Sequence, residues 1–126
     1  MKTCKPKKGG ADLRREIDFL EAVRLRCPAD IPTIKALAEL YTQAGRYAEG
    51  LRADMELTRI CPTESMVWYN LACSHAILNN KDDAFRALTQ AVNLGYRDLS
   101  WMRQDKDLDS IRNDHRFRAL LQRLKT

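Results

Sequence analysis

A chain of 126 residues, 44% hydrophobic and 31% charged, fits one soluble globular domain able to bury roughly two-thirds of the surface that its unfolded form exposes. Five Gly and four Pro leave room for long helices, and no run approaches the ~18 apolar residues of a membrane span. The net charge of +5 is unevenly placed: Lys2, Lys5, Lys7 and Lys8 precede any acid, residues 11–96 hold ten basic and twelve acidic side chains, and residues 97–126 hold eight and five. Nucleic-acid binding is disfavoured, because it calls for a basic stripe on a folded face rather than a short tail and a mixed surface.

Residues 1–10 read as a flexible basic tail, with lysines but none of the apolar stretch of a secretory signal. Ala11 to Arg26 then carries Leu13, Ile17, Leu20 and Val23 at helical spacing and ends at Cys27-Pro28. Asp30 or Pro32 can open a second helix, with Ile34, Leu37, Ala38 and Tyr41 on one face and Gly45 as its stop. Tyr47 to Ile60 returns. Thr63 or Ser65 can cap a fourth helix that places Trp68, Leu71, Ala72 and His75 on one side and ends at Asn79-Asn80. Asp82 to Leu94 returns again. Beyond it, Asp98 can cap a short helix through Met102, residues 107–112 form another helical turn, and Asp114 can cap a last amphipathic helix with Phe117, Leu120, Leu121 and Leu124.

The punctuation is periodic. Leu25-Arg26-Cys27-Pro28-Ala29-Asp30 returns as Arg59-Ile60-Cys61-Pro62-Thr63-Glu64, and Gly95-Tyr96 stands where a third Cys-Pro would fall. Such an internal period marks a helical repeat array.

These residues resemble the tetratricopeptide repeats, in the bacterial form that closes with a helical C-terminal segment. Trp68-Tyr69-Asn70-Leu71-Ala72, Ala84, Leu88 and Ala91 match the family signature, with Tyr96 replacing its final Pro. Ile34, Leu37, Ala38, Tyr41, Gly45, Tyr47 and Pro62 match it again, with departures at Gly50 and Asp54. The resemblance implies an all-α, right-handed solenoid of antiparallel helix pairs. It would comprise a half repeat over 11–28, full repeats over 31–64 and 65–98 and a cap over 98–126, forming one domain over 11–126. The small Ala38 and Ala72 would let paired helices approach, Trp68 and Tyr41 would fill the space between pairs, and Trp101, Ile111 and Phe117 would cover the last repeat.

The same resemblance implies a concave groove lined by the first helix of each pair, which here offers Lys35, Glu39 and Thr42, then Met66, Tyr69, Asn70, Cys73 and Ala76. Lys35 and Asn70 match two members of a clamp for peptide C-terminal carboxylates, but Glu39 would repel such a ligand, so a mixed-charge or basic segment is the better fit. Asp54 and His75 stand at places that face each other in the family, which predicts a structural carboxylate–imidazole contact. The alternative is a rotated third helix that exposes Asp54 and buries Leu51 and Met55.

Catalysis finds little support. His75 and His115 lie far apart in the chain, and Cys73, two places before His75 on one helix, points away from it. No Cys/His set has metal-ligand spacing. Asp105, Asp107 and Asp109 open like a calcium loop, but no Gly follows the third Asp and Arg116 stands where the closing Glu belongs, so capping explains them better. Cys27 and Cys61 occupy equivalent places ~8–10 Å apart in neighbouring pairs, beyond the ~7 Å Cα reach of a disulfide. The expectation is a non-enzymatic adaptor or scaffold without cofactor or metal, binding a protein or peptide. It would be cytoplasmic, with Cys4, Cys27, Cys61 and Cys73 reduced. Two rival readings are self-association through an open apolar face of the half repeat at Leu13, Ile17 and Leu20, and an acidic partner or nucleic acid held by the tail and the C-terminal arginines.

Overall fold

The computed structural model describes residues 9–125, so the lysine tail lies almost wholly outside the described residues. The described chain is helical throughout, without a strand: α1 (Gly10–Arg26), α2 (Ile31–Gln43), α3 (Tyr47–Ile60), α4 (Ser65–Ile77), α5 (Lys81–Asn93), α6 (Leu99–Gln104), a 3-10 helix (Lys106–Ile111) and α7 (His115–Lys125). From α1 to α5 each helix packs on the one that follows it in the row, and α5 meets α7. The links between them are a few residues long, which makes packed neighbours antiparallel.

The elements recur at the period that separates Cys27-Pro28 from Cys61-Pro62. The bounds of α2, Ile31 and Gln43, return one period later as the bounds of α4, Ser65 and Ile77, and the start of α3 at Tyr47 returns as that of α5 at Lys81. The stops recur as well. Gly45 and Asn79 both take left-handed backbone, with φ of 76° and 61°. Past them, the amide of Arg46 bonds Tyr41 O and that of Asn80 bonds His75 O, satisfying carbonyls that a helix end leaves open. At the Cys-Pro marks, the Cys27 amide bonds Val23 O and the Cys61 amide bonds Leu57 O.

The starts follow the expected chemistry in part. Asp30 accepts from the Thr33 amide at 3.2 Å, with Pro32 in the first turn of α2. Asp98 accepts from the Trp101 amide at 3.0 Å, and Asp114 from the Arg116 amide at 2.9 Å. For α4, however, Glu64 occupies the capping place and its side chain makes no cap bond, so neither Thr63 nor Ser65 caps it.

The core is built along the row. Leu13 and Ile17 of α1 are buried with Leu37, Leu40 and Tyr41 of α2; Ile34 and Ala38 with Ala53 and Leu57 of α3 and Val67 of α4. The largest cluster joins α4 and α5 to Met102, Leu108, Ile111, Phe117 and Leu120 of the terminal segment. Close approach is visible at Gly50, where an added Cβ would lie 3.1 Å from Thr42 Oγ1 and 3.6 Å from Ala38 O. The third helix is not rotated: Asp54 is buried and Met55 is exposed. Leu13 and Ile17 are covered by α2, which removes them from the open face expected of the half repeat.

Candidate functional site

α2 and α4 carry the predicted groove residues, and the structure treats the two helices differently. On α2, Lys35 is exposed and its ammonium lies 2.7 Å from Glu64 Oε1, joining α2 to the start of α4. One turn on, half-buried Glu39 accepts from Gln43 Nε2 at 3.4 Å. Thr42 turns toward α3 instead, bonding Ala38 O at 3.1 Å and lying against Gly50. It belongs to the α2–α3 contact rather than to a groove wall.

On α4 the terminal segment covers the face. The 3-10 helix packs directly on α4, Ser110 donates to Ala76 O at 2.6 Å, and Ala76 is buried. Tyr69 and Cys73 are fully buried rather than exposed to a partner. The Tyr69 hydroxyl donates to Asp105 Oδ2 at 2.6 Å, the Cys73 thiol lies 3.7 Å from the same oxygen, and the Tyr69 ring stacks on Tyr96 with centroids 4.3 Å apart. Burial, then the charges and hydrogen bond around it, raises the Tyr69 phenol far above its ordinary value, so its O–H stays a donor to Asp105 at any ordinary pH. Met66, which packs in part against the core of α4, α5 and the terminal segment, and Asn70, whose Oδ1 is buried, are the groove residues of that helix that keep partial exposure.

Asp105, Asp107 and Cys73 bring three possible metal ligands within 4.8 Å of one another. Both Asp105 oxygens already accept hydrogen bonds, Oδ2 from Tyr69 and Oδ1 from the Asp107 amide at 3.1 Å. The capping explanation therefore accounts for Asp105, while Asp109 pairs with Arg112 at 3.0 Å. The sequence marks Asp105 only as one of an alternating acidic run. Its burial could not be read there, because the signal lies in Tyr69, on a helix far upstream.

The expected Asp54–His75 contact takes another form. Asp54 is buried and accepts from the Ser74 hydroxyl, while His75 Nδ1 lies 3.3 Å from Asn80 Nδ2. Burial lowers the His75 pKa, and the charges of Asp83 and then Asp54 oppose that shift without overcoming it. Asp54 thus acts on His75 through its field rather than by a hydrogen bond. Trp68 is half-buried and donates to Pro62 O at 2.8 Å, and Tyr41, buried, donates to Glu21 beneath the Arg46 guanidinium. In the cap, Phe117 is buried and Trp101 half-buried, so Met102, Leu108 and Ile111 do more of the covering than Trp101.

The C-terminal arginines considered for an acidic partner are largely engaged within the chain. Arg112 bonds Met102 O at 3.0 Å, Arg116 pairs with Asp82 at 2.8 Å and Asp114 at 3.0 Å, and Arg123 bonds Asn93 at 2.9 Å. Among the described residues Cys27, Cys61 and Cys73 form no disulfide, and no helix is long and apolar enough to cross a membrane.

No family model matches the chain. It is similar to a chloroplastic protein of Arabidopsis thaliana, with 32% identity over 84 residues, 64% of this chain. The match spans 25% of the length of that relative.

Proposed function

We propose that this chain is a tetratricopeptide-type solenoid that acts as an adaptor, holding a segment of another protein against α2 and the first turns of α4. The observation that carries the reading is the recurrence of the α2–α3 hairpin as α4–α5 at one fixed interval, with the same left-handed stops. Stacked hairpins of this kind present one helix of each pair as a continuous binding face. Lys35, Glu39, Met66 and Asn70 are the residues offered on it. A flexible thioether beside charges of both signs suits an extended segment of mixed or basic charge, with Met66 as its apolar anchor. The reading is non-enzymatic. Cys27, half-buried Cys61 and buried Cys73 as thiols suit the reducing cytoplasm, and the chloroplast in the relative's name is the other address to compare by imaging a tagged chain.

Affinity capture tests the proposal. A partner held by the wild-type chain should be lost when Glu39→Lys and Met66→Ala are combined, with the circular dichroism unchanged. Equal capture by both proteins would refute this face as the site.

A further inference from the structure

A second surface, on the opposite end of the row from the terminal segment, has a self-complementary pattern. α1 ends at Arg26 and α3 at Ile60, one period apart, so the two helices can be compared place by place. On α3 the face that receives α2 carries Gly50 and Ala53, both buried, and α5 repeats the choice with Ala84 and Ala87. The corresponding places on α1 hold Glu16 and Phe19. An added Cβ at Gly50 already meets Thr42 Oγ1 at 3.1 Å, so a glutamate and a phenylalanine there would hold off a helix approaching in the α2–α3 manner. This face of α1 is remade rather than left as the seat of one more hairpin of the same geometry.

What it presents is a stripe at spacings of three and four: Asp12, Arg15, Phe19, Ala22 and Arg26, with Phe19 68% exposed at its centre. Beside Phe19 lies a shallow hollow of about 370 Å³ lined by Arg15, Glu16, Phe19 and Leu20. Asp12 and Arg26 stand two helical turns from Phe19 on either side. A copy of the same helix laid antiparallel, with the two-fold axis through Phe19, sets Asp12 against the other copy's Arg26 twice, the isologous arrangement of a symmetric pair. A parallel pairing would set like charges together.

We infer that the Phe19 stripe of α1 is a homodimer interface, in which two copies of the chain meet antiparallel through α1, Phe19 on Phe19 and Asp12 on Arg26. The interface lies apart from the α2–α4 face and does not rest on the adaptor reading. One helix per copy makes a small contact, so the dimer is weak and concentration-dependent.

Sedimentation equilibrium of the full chain from micromolar to millimolar concentration tests the inference. The wild type should pass from monomer to dimer, and Phe19→Arg should weaken the dimer by about tenfold or more with an unchanged melting temperature. Asp12→Arg and Arg26→Asp should each weaken it singly, and the two together in one chain should restore it, because the swapped ends still meet opposite charges. A chain that stays monomeric throughout overturns the inference. So does a dimer indifferent to Phe19→Arg, which would sit on another face, or a double swap that fails to recover, which would rule out the antiparallel register.

Discussion

Replacing Tyr69 separates a core role from a binding role. Its ring is fully buried between Tyr96 and the segment that starts at Asp105, and its hydroxyl supplies one of the hydrogen bonds that hold the buried Asp105 carboxylate. Tyr69→Phe keeps the ring and removes one donor from that carboxylate, which should cost about 1–3 kcal/mol. Tyr69→Ala also opens a cavity beneath the 3-10 helix and should cost about 3–5 kcal/mol, the range for deleting a large buried side chain. The difference between the two variants measures the ring. Urea unfolding followed by far-UV circular dichroism reads both losses, and near-UV signals from Trp101 report whether the terminal segment has come away. A Tyr69→Ala variant as stable as the wild type would refute the placement of Tyr69 in the core and return it to an exposed groove.

Other expectations rest on the same kind of contact. Ser74→Ala removes a donor from the buried Asp54 carboxylate and should cost about 1–3 kcal/mol; Asp54→Leu with Ser74→Ala should recover much of that, since Leu88 fills the equivalent place on α5, and a double-mutant cycle in urea checks it. Gly50→Leu should cost about 1–3 kcal/mol by pushing α2 off α3, visible as a lowered melting temperature; an unchanged value would mean that the helices separate freely. Because burial lowers the His75 pKa below its ordinary 6.5, the unfolded chain binds that proton more readily. The His75 contribution is therefore full above the unfolded value near 6.5 and is lost as pH falls from there through the lower folded value; melting temperature against pH should flatten across that window in His75→Gln. Deleting residues 95–126 should expose Tyr69, Cys73, Leu88 and Val92 and cause aggregation, detectable by light scattering; a soluble and equally stable truncation would mean that the cap is merely appended.

The helices and their stops were legible because they depend on local chemistry. Apolar spacing marked α1 to α5, Gly45 and Asn79-Asn80 marked turns that need left-handed backbone, and Asp98 and Asp114 marked helix starts with their own side chains. The face of α4 was not legible in the same way. Tyr69 and Cys73 occupy the same places as Lys35 and Glu39 one period earlier, yet one pair is buried and the other is not. What distinguishes them is the terminal segment, whose docking is a long-range event with no local mark beyond the apolar Met102, Leu108 and Ile111. The Asp54 partner was missed for a related reason. Ser74 and His75 are adjacent on α4, and small changes in helix rotation decide which of them meets the carboxylate.

The adaptor reading is tested most directly by hydrogen exchange on the chain with its captured partner bound. Slowed exchange should be confined to α2 around Lys35 and Glu39 and to the first turns of α4 around Met66 and Asn70. Protection centred instead on α1 or α7, with α2 and α4 unchanged, would contradict the account.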